Sequence, residues 1–159
     1  MKEVILAGGK GTRLAPYTHI LPKPMMPVGD RAILEVVLGQ FSRAGISEVT
    51  LAVGHLASLM QAYFGDGSRY NLKINYAYEE KPLGTAGPLA LIEGLTDTFL
   101  VSNGDILTLL DINRLIAFHK EQGAVCTIAS HHRTHKINLG VIEHAEGSYK
   151  VSGYIEKPT

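Results

Sequence analysis

Short apolar runs alternate along the chain with longer segments in which apolar side chains recur every three or four residues. Val4-Ile5-Leu6 opens the series as a strand. Asp30 then caps a helix whose stripe is Ile33, Leu34, Val37, Leu38 and Phe41, ending near Gly45. Val49-Thr50-Leu51-Ala52-Val53 is a buried strand. Leu56, Leu59, Met60, Tyr63 and Phe64 make a second amphipathic helix stopped at Gly65, with Met60 as core filling. Leu72 to Tyr78 alternates as a third strand. A helix capped by Thr85, with Pro88 in its first turn, carries Leu89, Leu91, Ile92 and Leu95. Phe99 to Ser102 is a fourth strand, and Asp111 caps a helix with Ile112, Leu115, Ile116 and His119 on one side, closing at Gly123.

Strands alternating with helices call for right-handed βαβ units, a mainly parallel sheet and helices on both faces. The expected class is therefore α/β, a Rossmann-like three-layer αβα sandwich, with 1–159 as one domain. From Ala124 onward the alternation stops, and Val125 to Ser130, Asn138 to Glu143 and Tyr149 to Ile155 read as three strands without a helix between them.

Two segments leave the C-terminal ends of their strands, the edge where such sheets bind ligands. One is Leu6-Ala7-Gly8-Gly9-Lys10-Gly11-Thr12-Arg13-Leu14; the other is Asn103-Gly104-Asp105. Glycines let consecutive backbone N–H groups turn toward one point, and Lys10 and Arg13 add charge, so the first segment is a phosphate cradle. Its spacing matches neither the P-loop nor the dinucleotide fingerprint. In Leu21-Pro22-Lys23-Pro24-Met25-Met26-Pro27-Val28 the prolines rule out helix and stiffen the backbone, which makes Lys23 a positioned charge.

Composition acts mostly by exclusion. With 159 residues, 45% hydrophobic and 19% charged, the chain can bury one ordinary core. Its apolar runs stop well short of the roughly 18 residues of a membrane span. Met1-Lys2-Glu3 leads straight into a strand, so a cytoplasmic protein is expected. A formal net charge of +0 provides no field for nucleic acid or an anionic membrane. Locally, Lys2, Lys10, Arg13 and Lys23 precede Asp30 against the single acid Glu3, a distribution that suits a small polyanion. The lone Cys126 excludes an internal disulfide, and its apolar neighbours predict a buried, inert thiol. His131, His132 and His135 lack a helical metal-pair spacing and read as loop residues; His19 lies near the cradle.

Gly8-Gly9-Lys10-Gly11-Thr12-Arg13-Leu14 closely resembles the Gly-Gly-x-Gly-Thr-Arg-Leu signature of the sugar-1-phosphate nucleotidyltransferases. The resemblance continues in order through Lys23-Pro24-Met25-Met26-Pro27-Val28, Pro82-Leu83-Gly84-Thr85-Ala86, Asn103-Gly104-Asp105, Leu139-Gly140-Val141 and Glu156-Lys157-Pro158. It implies the nucleotide-diphospho-sugar transferase type of fold and an in-line transfer of a nucleoside monophosphate from a nucleoside triphosphate to a sugar 1-phosphate, releasing pyrophosphate. By the same resemblance, Leu6, Ala7, Gly8, Gly9, Lys10, Gly11, Thr12 and Arg13 would hold the nucleotide, the loop backbone and Arg13 gripping its β- and γ-phosphates. Lys23 would sit by the α-phosphate, and Asp105 would bind Mg²⁺. Glu79, Pro82, Gly84 and Thr85 would face the base; Asn103, Gly104, Gly140, Glu156 and Lys157 would serve the sugar phosphate. Arg13, Lys23 and Asp105 carry the catalytic roles.

The stretch Glu80 to Ala90 looks most like mannose-1-phosphate guanylyltransferases and related heptose enzymes, which favours GTP with mannose or heptose 1-phosphate. Glu79 leans the same way, because a carboxylate can accept from both N1–H and the exocyclic amine of guanine. Glucose-1-phosphate thymidylyl- or uridylyltransferase is the alternative. The family continues past the Glu-Lys-Pro motif with a second metal-binding carboxylate, so a chain ending at Thr159 is expected to bind nucleotide better than it catalyses. A nucleotide-binding fragment, or one that forms a homo-oligomer through an unpaired sheet edge, are the other readings.

Overall fold

In the computed structural model, residues 1–134 and 138–157 are described; His135 and Pro158 lie outside them. In chain order the strands are β1 (Lys2–Leu6), β2 (Pro27–Val28), β3 (Arg31–Ala32), β4 (Glu48–Val53), β5 (Lys73–Tyr78), β6 (Phe99–Asn103), β7 (Val141–His144) and β8 (Val151–Ile155). The α-helices are α1 (Ile33–Arg43), α2 (Ala57–Phe64) and α3 (Ile112–Gln122). Two compact units form, Met1–Ala117 and Phe118–Thr159.

In the first unit, β5, β4, β1 and β6 lie side by side in that order, each neighbour parallel. Val4, Ile5, Leu51, Ala52 and Val53 are fully buried, as a strand covered on both faces requires. The register pairs Ile5 with Leu51 and Val49 with Ile74. One face therefore presents Ile5, Val49, Leu51, Val53 and Ile74 to the apolar stripes of α1 (Leu34, Val37, Leu38, Phe41) and α2 (Met60, Phe64). The strands build outward from β1 through β4 to β5, then the chain crosses back to lay β6 on the other side of β1. That reversal between β1 and β6 is the place where α/β sheets take ligands, beyond the carboxyl ends of the strands.

Local outcomes differ from the sequence reading in four places. Asp30 does not cap α1: with Gly29 at φ +64° it forms the two-residue turn of a β2–β3 hairpin. The helix begins after Ala32, whose N–H donates to the Glu35 carboxylate at 3.1 Å. The helix expected from Thr85 is only a 3-10 segment, Gly87–Leu91, and Thr85 caps nothing. Three glycines and a proline between Gly84 and Gly94 lower its propensity below what a few leucines can offset. Val125 to Ser130 is not a strand, and Cys126 is exposed. Among the described residues that run pairs with no strand, so Val125 and Ile128 stand in solvent and the thiol has no apolar cover. Asp111 does cap its helix, accepting the Arg114 N–H at 3.0 Å. In the second unit β7 and β8 form an antiparallel hairpin, with Ile142 opposite Tyr154.

Glu3 is an unexpected core residue. Its side chain is completely buried on β1; Oε1 accepts from the Ser102 hydroxyl at 2.9 Å, and Oε2 has no partner among the described residues. Burial pushes its carboxyl pKa from 4.5 up to about 8, against a smaller downward pull from Ser102. The folded chain thus holds a proton that the unfolded chain has lost, and stability falls as pH rises from 4.5 to 8. Glu3→Gln keeps an acceptor for Ser102 and never ionises. Its stability advantage over wild type is expected to grow from little at pH 4.5 to about 4 kcal/mol at pH 8, read by urea denaturation across that range. An advantage that does not vary with pH would contradict this.

Candidate functional site

The glycine loop begins where β1 meets its neighbours. Ala7 N–H donates to Ala52 O at 2.8 Å, and Gly104 N–H, just past β6, donates to Leu6 O at 3.0 Å. A Cβ on Gly8 would collide with Glu79 Oε1 and lie 3.4 Å from Gly54 N; one on Gly54 would lie 3.1 Å from Gly8 O. The ends of β1, β4 and β5 therefore meet closely: a Cβ on Gly54 would press on the Gly8 carbonyl, and one on Gly8 would displace the Glu79 carboxylate. Gly11 sits at φ +60°, and its Cβ would come 2.8 Å from Thr18 Cγ2, so glycine is required there on both counts. A 3-10 turn, Thr12–Leu14, follows, closed by Leu14 N–H to Gly11 O at 2.9 Å. Gly9, Lys10, Thr12 and Arg13 stay exposed on the outside of the loop.

Pro22, Pro24 and Met25 are buried and hold Lys23 in a 3-10 turn between them. The Lys23 ammonium pairs with the Asp105 carboxylate, which comes from the turn after β6, with side chains 35% and 21% exposed. Gly104 is buried, with Ile5 Cγ2 only 3.2 Å from where its Cβ would be, so the turn packs directly on β1. Asn103 ends β6 opposite Leu6. Among the described residues no cluster of three or more His, Cys, Asp and Glu side chains converges. Asp105 is the carboxylate here that could ligate Mg²⁺, a hard cation that keeps its waters and takes one or two carboxylates together with substrate phosphates; alone, and paired with Lys23, it would hold the ion weakly without those phosphates.

Glu79 follows β5. One carboxylate oxygen lies against Gly8, and the other accepts the Leu83 N–H at 3.2 Å, closing the turn that carries Pro82, Gly84 and Thr85. Those three are exposed, Gly84 at φ +76°. Leu6 to Arg13, Lys23, Glu79, Asn103, Gly104 and Asp105 thus share the carboxyl edge of one sheet.

Gly140, Glu156 and Lys157 belong to the second unit. Gly140 precedes β7, and the Tyr154 ring lies where its Cβ would be. Tyr154 donates its hydroxyl to Glu156, which also holds Lys157 Nζ at 3.8 Å. That donation raises the Tyr154 pKa, because the carboxylate opposes loss of the phenolic proton. Tyr154 is not singled out by the sequence reading; it lies in β8 and meets Glu156, just past the end of that strand, through its hydroxyl.

Two further residues escaped the sequence reading. Thr18 is buried and donates its hydroxyl to Gly11 O at 3.0 Å; the His55 ring bonds to Thr18 O at 3.0 Å. Neither stands in a segment with a recognisable pattern, and His19, the histidine nearest the cradle in sequence, is exposed.

Comparison with known proteins agrees with this architecture. The chain is 42% identical over 127 residues to a mannose-1-phosphate guanylyltransferase of Mycobacterium tuberculosis, covering 79% of this chain and 35% of that protein. It is 39% identical over 141 residues to a UTP–glucose-1-phosphate uridylyltransferase of Synechocystis, covering 80% of this chain and 36% of the relative. The chain therefore spans about a third of the length of these two relatives. The crystal structure of HddC from Yersinia pseudotuberculosis complexed with GMP-PN superposes with a TM-score of 0.66 at 23% identity, over 99% of this chain and 70% of that one, a likeness of fold. The profile of the nucleotidyl transferase family matches residues 2–159, running through both compact units, and this chain belongs to that family.

Proposed function

We propose that the chain carries the nucleotide-binding part of a sugar-1-phosphate nucleotidyltransferase, joining a nucleoside monophosphate to a sugar 1-phosphate with release of pyrophosphate. The observation that carries this reading is the meeting of the glycine loop, Lys23 and Asp105 at the reversal point of a parallel sheet. A loop of exposed N–H groups and cations, a lysine on a stiff turn and a carboxylate are what two polyanions need in order to approach each other. The family profile runs through both units, which supports reading 1–159 within one nucleotidyltransferase domain.

In this reading the Gly8 to Thr12 backbone and Arg13 grip the β- and γ-phosphates, and Lys23 meets the α-phosphate. An oxygen of the sugar phosphate attacks the α-phosphorus in line, the bond to the bridging oxygen breaks, and pyrophosphate leaves; the attacker is already anionic at pH 7, so no proton has to move. Asp105 would hold Mg²⁺, which would supply neutralisation of phosphate charge. Lys157, Glu156 and the Gly140 backbone meet the sugar phosphate, and Tyr154 holds the Glu156 carboxylate in place.

GTP is the favoured nucleotide and mannose or heptose 1-phosphate the favoured acceptor. Glu79 supports guanine: the oxygen that takes the Leu83 N–H retains a lone pair for a base donor, and the second oxygen can take another. The 39% identity to a uridylyltransferase keeps UTP with glucose 1-phosphate as the second reading. A thermal-shift screen of GTP, UTP, dTTP and CTP with Mg²⁺ separates them, because a nucleotide that binds the folded state raises its apparent stability. GTP is expected to give the largest shift, and a pyrophosphate-release assay with mannose 1-phosphate then tests turnover. If none of the four nucleotides shifts the transition and none yields pyrophosphate, the reading is wrong.

A further inference from the structure

We infer that His55 and Thr18 form a clasp that holds the glycine loop in its anion-binding shape, making them positioning residues for triphosphate binding; this rests on the function proposed above. His55 leaves the end of β4 and reaches the loop twice. Its backbone N–H donates to Gly8 O at 3.4 Å, and its ring Nε2 lies 3.0 Å from Thr18 O. A carbonyl only accepts, so Nε2 carries the proton and the ring is the donor. Thr18 passes the restraint on by donating its hydroxyl to Gly11 O at 3.0 Å, and its methyl packs where a Gly11 side chain would be. The entry and exit of the segment Gly8 to Gly11 are thus tied, directly and through Thr18, to one residue of the turn after β4. Thr18 is 3% exposed, so its hydroxyl and carbonyl have little water to turn to.

The arrangement has a chemical consequence. An anion bound by consecutive backbone N–H groups loses affinity steeply when those groups diverge, and Gly11 at φ +60° has many other conformations open to it. Holding the Gly11 carbonyl turned toward Thr18 leaves the loop N–H groups free to face outward. Neither His55 nor Thr18 touches the phosphates in this arrangement; they set the conformation of the backbone that does, and so reduce the ordering that binding would otherwise require.

Wild-type, Thr18→Val, His55→Ala and His55→Gln chains are compared by calorimetric titration with inorganic pyrophosphate and with GTP in Mg²⁺, alongside unfolding temperature and circular dichroism. Thr18→Val keeps the shape and loses the hydroxyl; it is expected to weaken both ligands about tenfold. His55→Ala should do the same, and His55→Gln, whose amide N–H can reach the Thr18 carbonyl, should recover most of the loss. Combining Thr18→Val with His55→Ala should cost little more than either change by itself, since both break one chain of bonds. Rescue by glutamine and this non-additivity are readouts that loss of fold would not produce. Variants that fold and bind as wild type overturn the clasp while leaving the proposed function standing. A folded wild-type chain that binds neither pyrophosphate nor any triphosphate overturns both.

Discussion

Asp105→Ala is expected to slow pyrophosphate release from GTP and mannose 1-phosphate by about 10³-fold, on the order of 4 kcal/mol. The same substitution should tighten the binding of triphosphate in the absence of metal. The opposite signs follow from the ion pair. Asp105 holds the Lys23 ammonium, so on the proposed reading an incoming α-phosphate would have to compete with a carboxylate for it. Removing the carboxylate frees the lysine, which strengthens the encounter with an anion, and also removes the oxygen ligand that would hold Mg²⁺ during transfer. Titration of GTP in EDTA reads the first effect, and a coupled pyrophosphate assay in Mg²⁺ reads the second. Lys23→Met should lower both, since it deletes the cation and leaves Asp105 unpaired. If Asp105→Ala weakens metal-free binding and turnover together, the aspartate serves only to shape the turn after β6.

Gly11→Ala is expected to abolish the stabilisation of the chain by GTP and Mg²⁺ and to lower the unfolding temperature. A Cβ at φ +60° costs about 1–2 kcal/mol before contacts are counted, and here it would also stand 2.8 Å from the Thr18 methyl, closer than real atoms approach. Relief requires Thr18 to move, which breaks its hydrogen bond to Gly11 O and with it the shape of the loop. Gly9→Ala is the informative contrast. Gly9 has open space around it and no left-handed torsion, so alanine there should leave the unfolding temperature of the free chain unchanged. Any loss of triphosphate affinity in Gly9→Ala must then come from the ligand itself, approaching the backbone more closely than a methyl group allows. Melting curves with and without GTP and Mg²⁺ distinguish the two. A Gly11→Ala chain that retains the full ligand shift would contradict the argument.

Much of the first unit was legible in the order of residues because its signals are local. Val4-Ile5 and Leu51-Ala52-Val53 are short apolar runs that end up fully buried, as inner strands of a parallel sheet are. The stripes of α1 and α2 follow from helical period. Capping and short apolar runs are less local. Asp30 has the chemistry of a cap, but the Gly29 turn claims it first, and Glu35 supplies the reciprocal contact from inside the helix. Val125 to Ile128 has the composition of a strand, yet a strand exists only when another offers its edge. Glu3 was legible as nothing more than an acid near the N-terminus; its burial follows from the register that sets it beside Leu100 and Ser102.

The sequence alone determined the kinds of chemistry present: a glycine-rich, cationic turn after one strand, a lysine stiffened by prolines, and an aspartate after another strand, each written in consecutive residues whose local conformational preferences are strong. Only the tertiary structure decided which of these meet. Lys23 and Asp105 are 82 residues apart in the chain and form an ion pair because β6 crosses back to lie beside β1. Thr18 and His55 entered the site in the same way, through contacts between segments with no shared pattern. Periodicity and capping act over a few residues, whereas a binding site is assembled by packing, which brings together groups that the chain keeps far apart.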